Sequence, residues 1–303
     1  MGDVASGIGI ITMLMFFLLM GMPIAFSLLT SGIIGLIWVR GWVPTEFTVS
    51  TFFYSYVANL SFVVLPLFLL MGNLAFSAGL SEKAFRACRI LLGNIPGGLA
   101  TGVVFGCAAF ATVCGSSVAT AVTMGRVAIP EMLRTGYRPW LASGCVAAVG
   151  TLGVLIPPSG VLVIYSIATQ VSIVDLFIAA FTPGIMTAGI YAALIAVLVR
   201  LKPDLAPLPN KARISFRERV HTLADAWEIL LLFVVVMGSI YFGIATATEA
   251  AAFGAACALL ILLWRSGSNF GSALRPAFVD AASTTASVFA LVIGAGLFSV
   301  ALA

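Results

Sequence analysis

The stretch from Cys114 to Ser159 contains two clusters of small and hydroxylated residues within sequence that is otherwise apolar enough for a membrane. The first cluster is Gly115-Ser116-Ser117, with Thr120 one turn later, and the second is Gly150-Thr151-Leu152-Gly153. Hydroxyl groups can ligate Na⁺, and so can backbone carbonyls that are freed where a helix unwinds in a membrane protein. The residue types therefore predict a site for a hard cation at these two breaks.

Helix ends at the same two breaks offer a second kind of binding. A helix that starts at Ser116 presents unpaired backbone N–H groups and a partial positive charge, which favour a substrate carboxylate. The C-terminal ends of the half-helices have the reverse polarity and favour a cation. One broken region can thus bind an anion beside a coupling ion without a buried charged side chain. The alternative is that the Ser, Thr and Gly residues only allow helices to pack closely.

The composition places the chain among polytopic membrane proteins. Of its 303 residues, 61% are hydrophobic and 9% are charged, whereas a soluble domain carries roughly 25% charged residues. The net charge of +4 arises from basic residues in a few interhelical loops. The charge therefore does not indicate a nucleic-acid partner.

The histidine and cysteine content argues against an enzyme or a redox centre. The single histidine, His221, lies in a basic loop, which argues against a histidine-ligated metal, a haem or a Ser–His pair. An intramembrane hydrolase that used Ser116 or Ser117 as nucleophile would therefore lack a base. The five cysteines lie in apolar segments without a CxxC motif, as small buried side chains do. We expect no enzymatic activity.

The breaks predict an all-α membrane protein with a re-entrant helical hairpin and a broken transmembrane helix. Non-helical backbone at membrane depth is tolerated only where its N–H and C=O groups are satisfied. The region 99–130 has two short arms around Gly115, which indicates a hairpin rather than one long kinked helix. The region 139–169 breaks at Gly150–Gly153, and Pro157-Pro158 cannot continue a helical hydrogen-bond ladder.

The remaining segments complete the predicted order of elements. The prediction has spans at Ile8–Met20 and Ile24–Val39, a loop at Arg40–Ser50, a span at Tyr56–Phe76, an interfacial helix at 81–94, the hairpin at 99–130, the broken helix at 139–169, a span at 176–199, a cytoplasmic basic linker at 202–226, and three spans within 227–303.

Two parts of the chain resemble each other, which predicts an inverted repeat. The sequence at 17–41 is similar to that at 235–267, and LPLFLLMGNLAFS at 65–77 is similar to SVFALVIGAGLFS at 287–299. With a periplasmic N-terminus, Arg40 is the only one of the 15 Lys and Arg residues on the outer side, as the positive-inside rule favours. The first repeat (1–201) then starts outside and the second (227–303) starts inside. Such repeats are typical of alternating-access transporters.

The second repeat has no hairpin or broken helix of its own before Ala303. Two explanations are open, namely a chain that is part of a longer protein and a degenerate second half. We expect the first, because a transporter built on two hairpins needs the second one.

The acidic residue Glu249 lies between two predicted spans and has two interpretations. It could relay protons within the membrane. It could also lie in the first turn of a helix that Thr248 caps, where a negative charge is favourable. We favour the capping role.

The central motifs resemble the large membrane subunit (DctM type) of TRAP transporters, in the ion-transporter superfamily. The similarity lies in GSSVATAVTMGRVAIPEMLRTGY and GTLGVLIPPSGVLVIYSIATQVSIVDLFIAAFTPG, and LPLFLLMGNLAFSAG and MGSIYFGIATATEAAAFGA match as well. The resemblance implies an elevator-type, Na⁺-coupled importer of an organic acid in a bacterial inner membrane. It also implies a small membrane subunit (DctQ type) and a periplasmic substrate-binding protein (DctP type) as partners.

The resemblance also implies roles for individual positions. One Na⁺ site would be formed by Gly115, Ser116, Ser117, Gly150, Thr151, Leu152 and Gly153. Half of a substrate site would be formed by Ser116, Ser117, Thr120, Pro157, Pro158 and Ser159. The alternative function is a stand-alone Na⁺- or H⁺-coupled carboxylate carrier of the same superfamily, because nothing in the chain resembles the small subunit.

Overall fold

The computed structural model describes residues 2–58, 60–93, 95, 97–207 and 222–303, and all regular structure in these ranges is helical. The helices are α1 Gly2–Leu19, α2 Ile24–Arg40, α3 Trp42–Val57, α4 Val64–Ser77, α5 Leu80–Leu92, α6 Gly98–Cys114, α7 Ser117–Arg134, α8 Pro139–Leu155, α9 Gly160–Thr169, α10 Ile173–Leu201, α11 Trp227–Tyr241, α12 Ala247–Ser266 and α13 Phe270–Leu302. Much of the predicted basic linker lies outside the described residues, including Lys211, Arg213, Arg217, Arg219 and His221.

Three of these helices, α10, α12 and α13, are long and apolar enough to cross a hydrocarbon core. Two bent pairs raise the number of candidate spans to five, namely α4 with α5 at 65° and α8 with α9 at 44°. Four shorter helices, α1, α2, α6 and α11, are apolar as well. The prediction of an all-α, multi-pass membrane protein is confirmed.

One compact unit comprises residues 1–63 and 282–303. Its core is formed by Ile10, Leu36, Ile293, Leu297 and Ala301. Gly32 of α2 faces the backbone of α13 so closely that a Cβ there would lie 2.9 Å from the nitrogen of Phe298. Small residues at such points let two helix backbones approach, which is how helices associate in lipid.

The other compact unit comprises residues 64–281 and contains both predicted breaks. Its most buried helix is α6, which is rich in Gly and Ala. A Cβ at Gly106 would lie 3.2 Å from the Cα of Phe85, so α5 packs directly against α6. In α5, Leu80, Ala84 and Phe85 are buried while its charged residues lie elsewhere on the helix. The bend from α4 fits the predicted interfacial helix, whose position in a bilayer stays a prediction.

A buried ion pair joins α5 to α11 within this unit. Lys83 Nζ lies 2.7 Å from Glu228 Oε1, and the Glu228 side chain is only 1% exposed. A second pair joins α5 to α7, because the guanidinium of Arg89 donates to Glu131. The charges of α5 therefore connect it to two other helices, which the amphipathic pattern alone did not predict.

The loop prediction for Arg40–Ser50 is wrong, because α3 begins at Trp42 directly after Gly41. Gly41 has φ of 84°, a left-handed conformation that permits the sharp change of direction. The sequence of α3 is rich in β-branched and aromatic residues, which have low helix propensity in water. Val49 and Phe52 of α3 pack against the core that contains Ile10 and Leu36, and tertiary packing of this kind overrides propensity.

Two further predictions concern the second repeat. The helix that contains Glu249 is capped by Thr246 rather than by Thr248. The Thr246 hydroxyl accepts from the Glu249 backbone N–H, and the Glu249 carboxylate accepts from the Thr246 backbone N–H at 2.8 Å. This capping box supports the capping role of Glu249. The inverted relation of the two repeats stays a prediction.

Candidate functional site

The tip of the hairpin is a tight reversal at Gly115 between α6 and α7. Gly115 has φ of 63°, and a Cβ at this position would lie 2.7 Å from the carbonyl oxygen of Pro158. Both the left-handed backbone and the close approach therefore require glycine. Ser116 is the N-cap of α7, and its Oγ accepts from the backbone N–H of Ala119 at 3.4 Å.

The break between α8 and α9 lies at residues 156–159. The last helical bond of α8 runs from Ile156 N–H to the Leu152 carbonyl at 2.9 Å, after which the backbone is extended. The Pro157–Pro158 peptide bond is cis. Because neither proline has an N–H, the carbonyls four residues earlier, at Gly153 and Val154, lack their usual helical donors.

The break was predicted at Gly150–Gly153, and the structure interrupts the regular α-helix there, because one helical segment ends at Gly150 and the next begins at Leu152. Thr151 keeps helical dihedrals, with φ of −62° and ψ of −22°. Its N–H donates to the Ala148 carbonyl at 3.2 Å, three residues back. One turn at Thr151 is therefore tighter than a regular α-helical turn. The backbone leaves helical geometry only at the two prolines, where the helical hydrogen bonds end.

The hairpin tip rests directly on the broken helix. The Gly160 N–H donates to the Gly115 carbonyl at 3.2 Å. A Cβ at Gly153 would lie 2.6 Å from the Ser116 carbonyl oxygen and 2.9 Å from Thr120 Oγ1. Glycine at these positions thus brings the backbone of α8 against the oxygens of the hairpin tip.

Gly150 forms a second point of close approach one turn away. A Cβ at Gly150 would lie 2.6 Å from the Cβ of Ala121 and 3.4 Å from the Ser117 carbonyl oxygen. Gly150 and Gly153 therefore lie on the face of α8 that packs against α7.

Four helix ends meet at this crossing. α6 ends at Cys114 and α8 ends at Leu155, and both direct their last carbonyls toward the break. α7 begins at Ser117 and α9 begins at Gly160. In their first turns the Ala119 N–H donates to Ser116 Oγ and the Gly160 N–H to the Gly115 carbonyl, and the other N–H groups lack a helical acceptor. The crossing thus combines the partial negative charge of two C-termini with the partial positive charge of two N-termini.

Two buried hydroxyl groups at the crossing lack a hydrogen-bond partner among the described residues. Thr120 and Ser159 are both fully buried, and the side-chain oxygens Thr120 Oγ1 and Ser159 Oγ are unsatisfied. The thiol of Cys114, a weak hydrogen-bonding group, is the polar side chain beside Thr120. An unsatisfied buried polar group costs about 1–3 kcal/mol. A polar ligand bound beside either group would satisfy it.

The predicted site residues separate into two groups. The structure brings Gly115, Ser116, Thr120, Gly153, Pro158 and Ser159 to the crossing, and Ser117, Gly150 and Pro157 lie next to it. Thr151 and Leu152 differ from the prediction. The Thr151 hydroxyl donates to the Ala148 carbonyl at 2.6 Å and lies 3.2 Å from the Tyr191 hydroxyl. It is exposed and directed toward α10, while the Leu152 carbonyl is used within α8.

Helix α4 also contributes to the crossing, which the prediction did not include. A Cβ at Gly72 would lie 2.8 Å from the Cys114 carbonyl oxygen. A Cβ at Gly160 would lie 3.1 Å from Leu65 Cδ1. The available signal was that Gly72 is the only glycine in α4, and a lone glycine among large apolar residues often marks a close approach.

The oxygens at this crossing are neutral and suit a hard monovalent cation. They are the carbonyls of Ser116 and Gly153 and the hydroxyls of Thr120 and Ser159. The described residues contain no group of three or more His, Cys, Asp or Glu placed to hold a metal. The donor set therefore fits Na⁺ better than a transition metal, which prefers nitrogen or sulfur ligands.

Comparison with known proteins shows the family of this chain. The family model described as "Tripartite ATP-independent periplasmic transporter, DctM component" matches residues 11–303. The C4-dicarboxylate TRAP transporter large permease protein DctM of Vibrio cholerae is 34% identical over 244 residues, which are 80% of this chain and 53% of that protein. The protein of the same name in Pseudomonas aeruginosa is 39% identical over 202 residues, which are 67% of this chain and 46% of that protein.

A relative with a different named substrate matches as well. The ectoine/5-hydroxyectoine TRAP transporter large permease protein UehC of Ruegeria pomeroyi is 30% identical over 284 residues, which are 92% of this chain and 64% of that protein. The chain spans about half the length of the first two relatives. From the match over residues 11–303, the chain belongs to the DctM family, the large permease component of tripartite ATP-independent periplasmic transporters.

Proposed function

We propose that this chain acts as the permease of a tripartite secondary transporter that imports an organic acid with Na⁺ across a bacterial inner membrane. The observation that carries the proposal is the crossing of the hairpin tip and the broken helix. Two buried hydroxyls there, of Thr120 and Ser159, lack partners among the described residues. Family membership supports a transporter rather than an enzyme.

The Na⁺ would be held by neutral oxygens on the hairpin side of the crossing. The candidate ligands are the carbonyls of Ser116 and Gly153 and the hydroxyl of Thr120. The side chain of Thr151 is not a candidate, because it is directed toward Tyr191. A bound Na⁺ would supply a positive charge beside the substrate, and the oxygens of this chain would position it.

The substrate would be bound through an anionic group at the helix N-termini. The first turns of α7 and α9 have unpaired N–H groups, and such ends favour carboxylates. Ser159 Oγ would donate to the same group. The named substrates of relatives include C4-dicarboxylate, isethionate and ectoine. Because these compounds differ, the proposal names a chemical class, an organic acid bound through its anionic group.

The proposal includes the partners and the movement that the family resemblance implies. A periplasmic binding protein would deliver the substrate, and a small membrane subunit would join the permease. The hairpin and the broken helix would move as one body, because the Gly115–Gly160 hydrogen bond and the contacts of Gly150 and Gly153 join them. A periplasmic N-terminus and a cytoplasmic linker at 202–226 follow from the charge distribution.

Uptake into proteoliposomes that contain the full-length complex and its binding protein tests this function. Accumulation should require an inward Na⁺ gradient and should stop when choline replaces Na⁺. Combined Thr120→Val and Ser159→Ala substitutions, which remove the two unsatisfied hydroxyls, should abolish accumulation. Ser143→Ala is the matched control, because Ser143 is exposed on α8 and bonds only within its own helix. Unchanged uptake in choline would refute the coupling, and normal uptake by the double variant would refute the site.

A further inference from the structure

A groove between α8 and α10 lies away from the crossing and has no role in the proposed transport site. It encloses about 140 Å³ and is almost entirely apolar. The residues that define its two walls are Trp140, Gly144 and Ala148 from α8, and Tyr191, Leu194 and Leu198 from α10. Each set recurs every three or four residues, so each helix presents one continuous face to the groove.

A hydrogen bond lies near each end of the groove. Thr151 Oγ1 is 3.2 Å from the Tyr191 hydroxyl, which joins α8 to α10 near one end. Near the other end the Arg138 N–H donates to the Leu205 carbonyl at 3.1 Å, which joins the start of α8 to the segment after α10. From Trp140 to Val149 the helix rises about 14 Å. This length is about half of a ~30 Å hydrocarbon core, which is the depth that one acyl chain occupies.

The end of the groove at the start of α8 is positively charged. Arg138 precedes α8, Lys202 follows Leu198 by four residues, and Arg200 lies between Leu198 and Lys202 in the chain. Asp204 is 3.8 Å from Arg138, and both side chains are more than half exposed. An exposed pair of this kind is weak, so it leaves Arg138 able to bind another anion. Trp140, which is 56% exposed, lies at the same end, where aromatic residues favour a membrane interface.

These features define the ligand by shape and charge. A transmembrane helix of a partner subunit needs about 20 residues and a diameter of about 10 Å, which a groove of about 140 Å³ cannot contain. An acyl chain fits the apolar walls, and a phosphate fits the cationic mouth. We propose that this groove binds one acyl chain of an anionic glycerophospholipid, whose phosphate lies at Arg138 and Lys202.

Photo-crosslinking tests this lipid site in the full-length complex. The complex is placed in phosphatidylcholine nanodiscs with a small fraction of phosphatidylglycerol that has a diazirine near the end of one acyl chain. The label should attach to groove residues of α8 and α10. Excess unlabelled phosphatidylglycerol should reduce labelling, and added phosphatidylcholine should not.

Two matched glycine substitutions test whether the lipid label attaches in the groove or elsewhere on the helix surface. Gly144 and Gly189 are both exposed helix residues at which a Cβ meets nothing within 4 Å. Only Gly144 lines the groove. Gly144→Leu should lower labelling of the groove at least several-fold, and Gly189→Leu should leave it unchanged. Arg138→Gln and Lys202→Gln, both at exposed positions, should each lower it about fivefold, the effect of one surface charge on anionic lipid binding.

Three results would overturn the lipid site. The first is equal labelling of the groove in the Gly144→Leu and Gly189→Leu variants. The second is equal competition by phosphatidylcholine and phosphatidylglycerol. The third is a groove that crosslinks to a helix of another subunit instead of to lipid.

Discussion

Replacing Gly153 by alanine tests how closely the hairpin tip rests on the broken helix. The new Cβ would lie 2.6 Å from the Ser116 carbonyl oxygen and 2.9 Å from Thr120 Oγ1, and real Cβ contacts essentially never fall below 3.0 Å. The two segments must therefore separate by at least about 0.4 Å, the difference between 3.0 and 2.6 Å. Binding sites need their ligands held within about 0.5 Å, so this shift is large enough to weaken ion binding.

The cost in stability can be separated from the effect of alanine on the helix itself. Overpacking of a close contact costs about 1–3 kcal/mol. Alanine also favours a helix by about 1 kcal/mol relative to glycine. Gly144→Ala is the matched control, because Gly144 lies on the same helix and its Cβ would meet nothing within 4 Å. We expect Gly153→Ala to be about 1–3 kcal/mol less stable than Gly144→Ala.

Two measurements on the full-length complex test this expectation. Denaturant unfolding in detergent gives the difference in free energy of unfolding between the two variants. Uptake at increasing Na⁺ concentration gives the concentration for half-maximal transport, which should rise in Gly153→Ala and stay unchanged in Gly144→Ala. Equal free energies of unfolding and equal Na⁺ dependence in the two variants would refute the close contact.

Three further predictions concern contacts outside the crossing. Lys83→Met should destabilise the protein by about 3–5 kcal/mol, because it leaves the buried carboxylate of Glu228 unpaired. Adding Glu228→Gln should restore much of this loss in the same unfolding assay, and a double variant as unstable as the single one would contradict the pairing. Thr246→Ala should lower the free energy of unfolding by about 1 kcal/mol, because it removes the capping box. Thr248→Ala should lower it by less, and a larger loss in Thr248→Ala than in Thr246→Ala would refute the cap. Thr151→Val should leave the Na⁺ dependence of uptake unchanged, because its hydroxyl lies beside Tyr191. Loss of the Na⁺ dependence in this variant would show that the Thr151 hydroxyl ligates the ion.

The sequence predicted the features of the breaks that depend only on residues adjacent in the chain. A turn at Gly115 with a helix start beside it needs only a glycine, a capping serine and the cost of unpaired backbone in lipid. The structure has this turn, with Ser116 as the cap of α7. The proline pair predicted a second half-helix, and α9 begins at Gly160.

The extent of the second break depended on information that composition does not contain. The helix is interrupted at Thr151 as predicted, but Gly150 and Gly153 are also contact points for the hairpin. A glycine can either interrupt a helix or allow another helix to pack closely. Which of these it does depends on the neighbouring helix. For the same reason the role of Gly72 in α4 was not predicted.

Helix α3 shows a different limit of prediction from sequence. Its residues have low helix propensity, and a loop was predicted from the sequence at Arg40–Ser50. Propensity scales describe peptides in water, where an unpaired backbone group bonds to solvent. In this protein Val49 and Phe52 of α3 pack against a hydrophobic core, so the helix forms despite the residue types.

The measurement that most directly tests the ion site is thermal unfolding of the full-length complex as Na⁺ is increased, in the native protein and in Thr120→Val. Valine has nearly the shape of threonine and removes an unsatisfied buried hydroxyl, so stability without Na⁺ should be unchanged or higher. Thr101→Val is the control, because Thr101 is buried in the same hairpin and bonds only to the Gly97 carbonyl.

A ligand that binds only the folded state stabilises it by about 2.7 kcal/mol at a hundred times its dissociation constant. The native protein and Thr101→Val should show this rise with Na⁺ and no rise with choline, and Thr120→Val should not respond to Na⁺. An equal rise in all three proteins, or a rise in choline as large as in Na⁺, would contradict a Na⁺ site at the crossing of the hairpin and the broken helix.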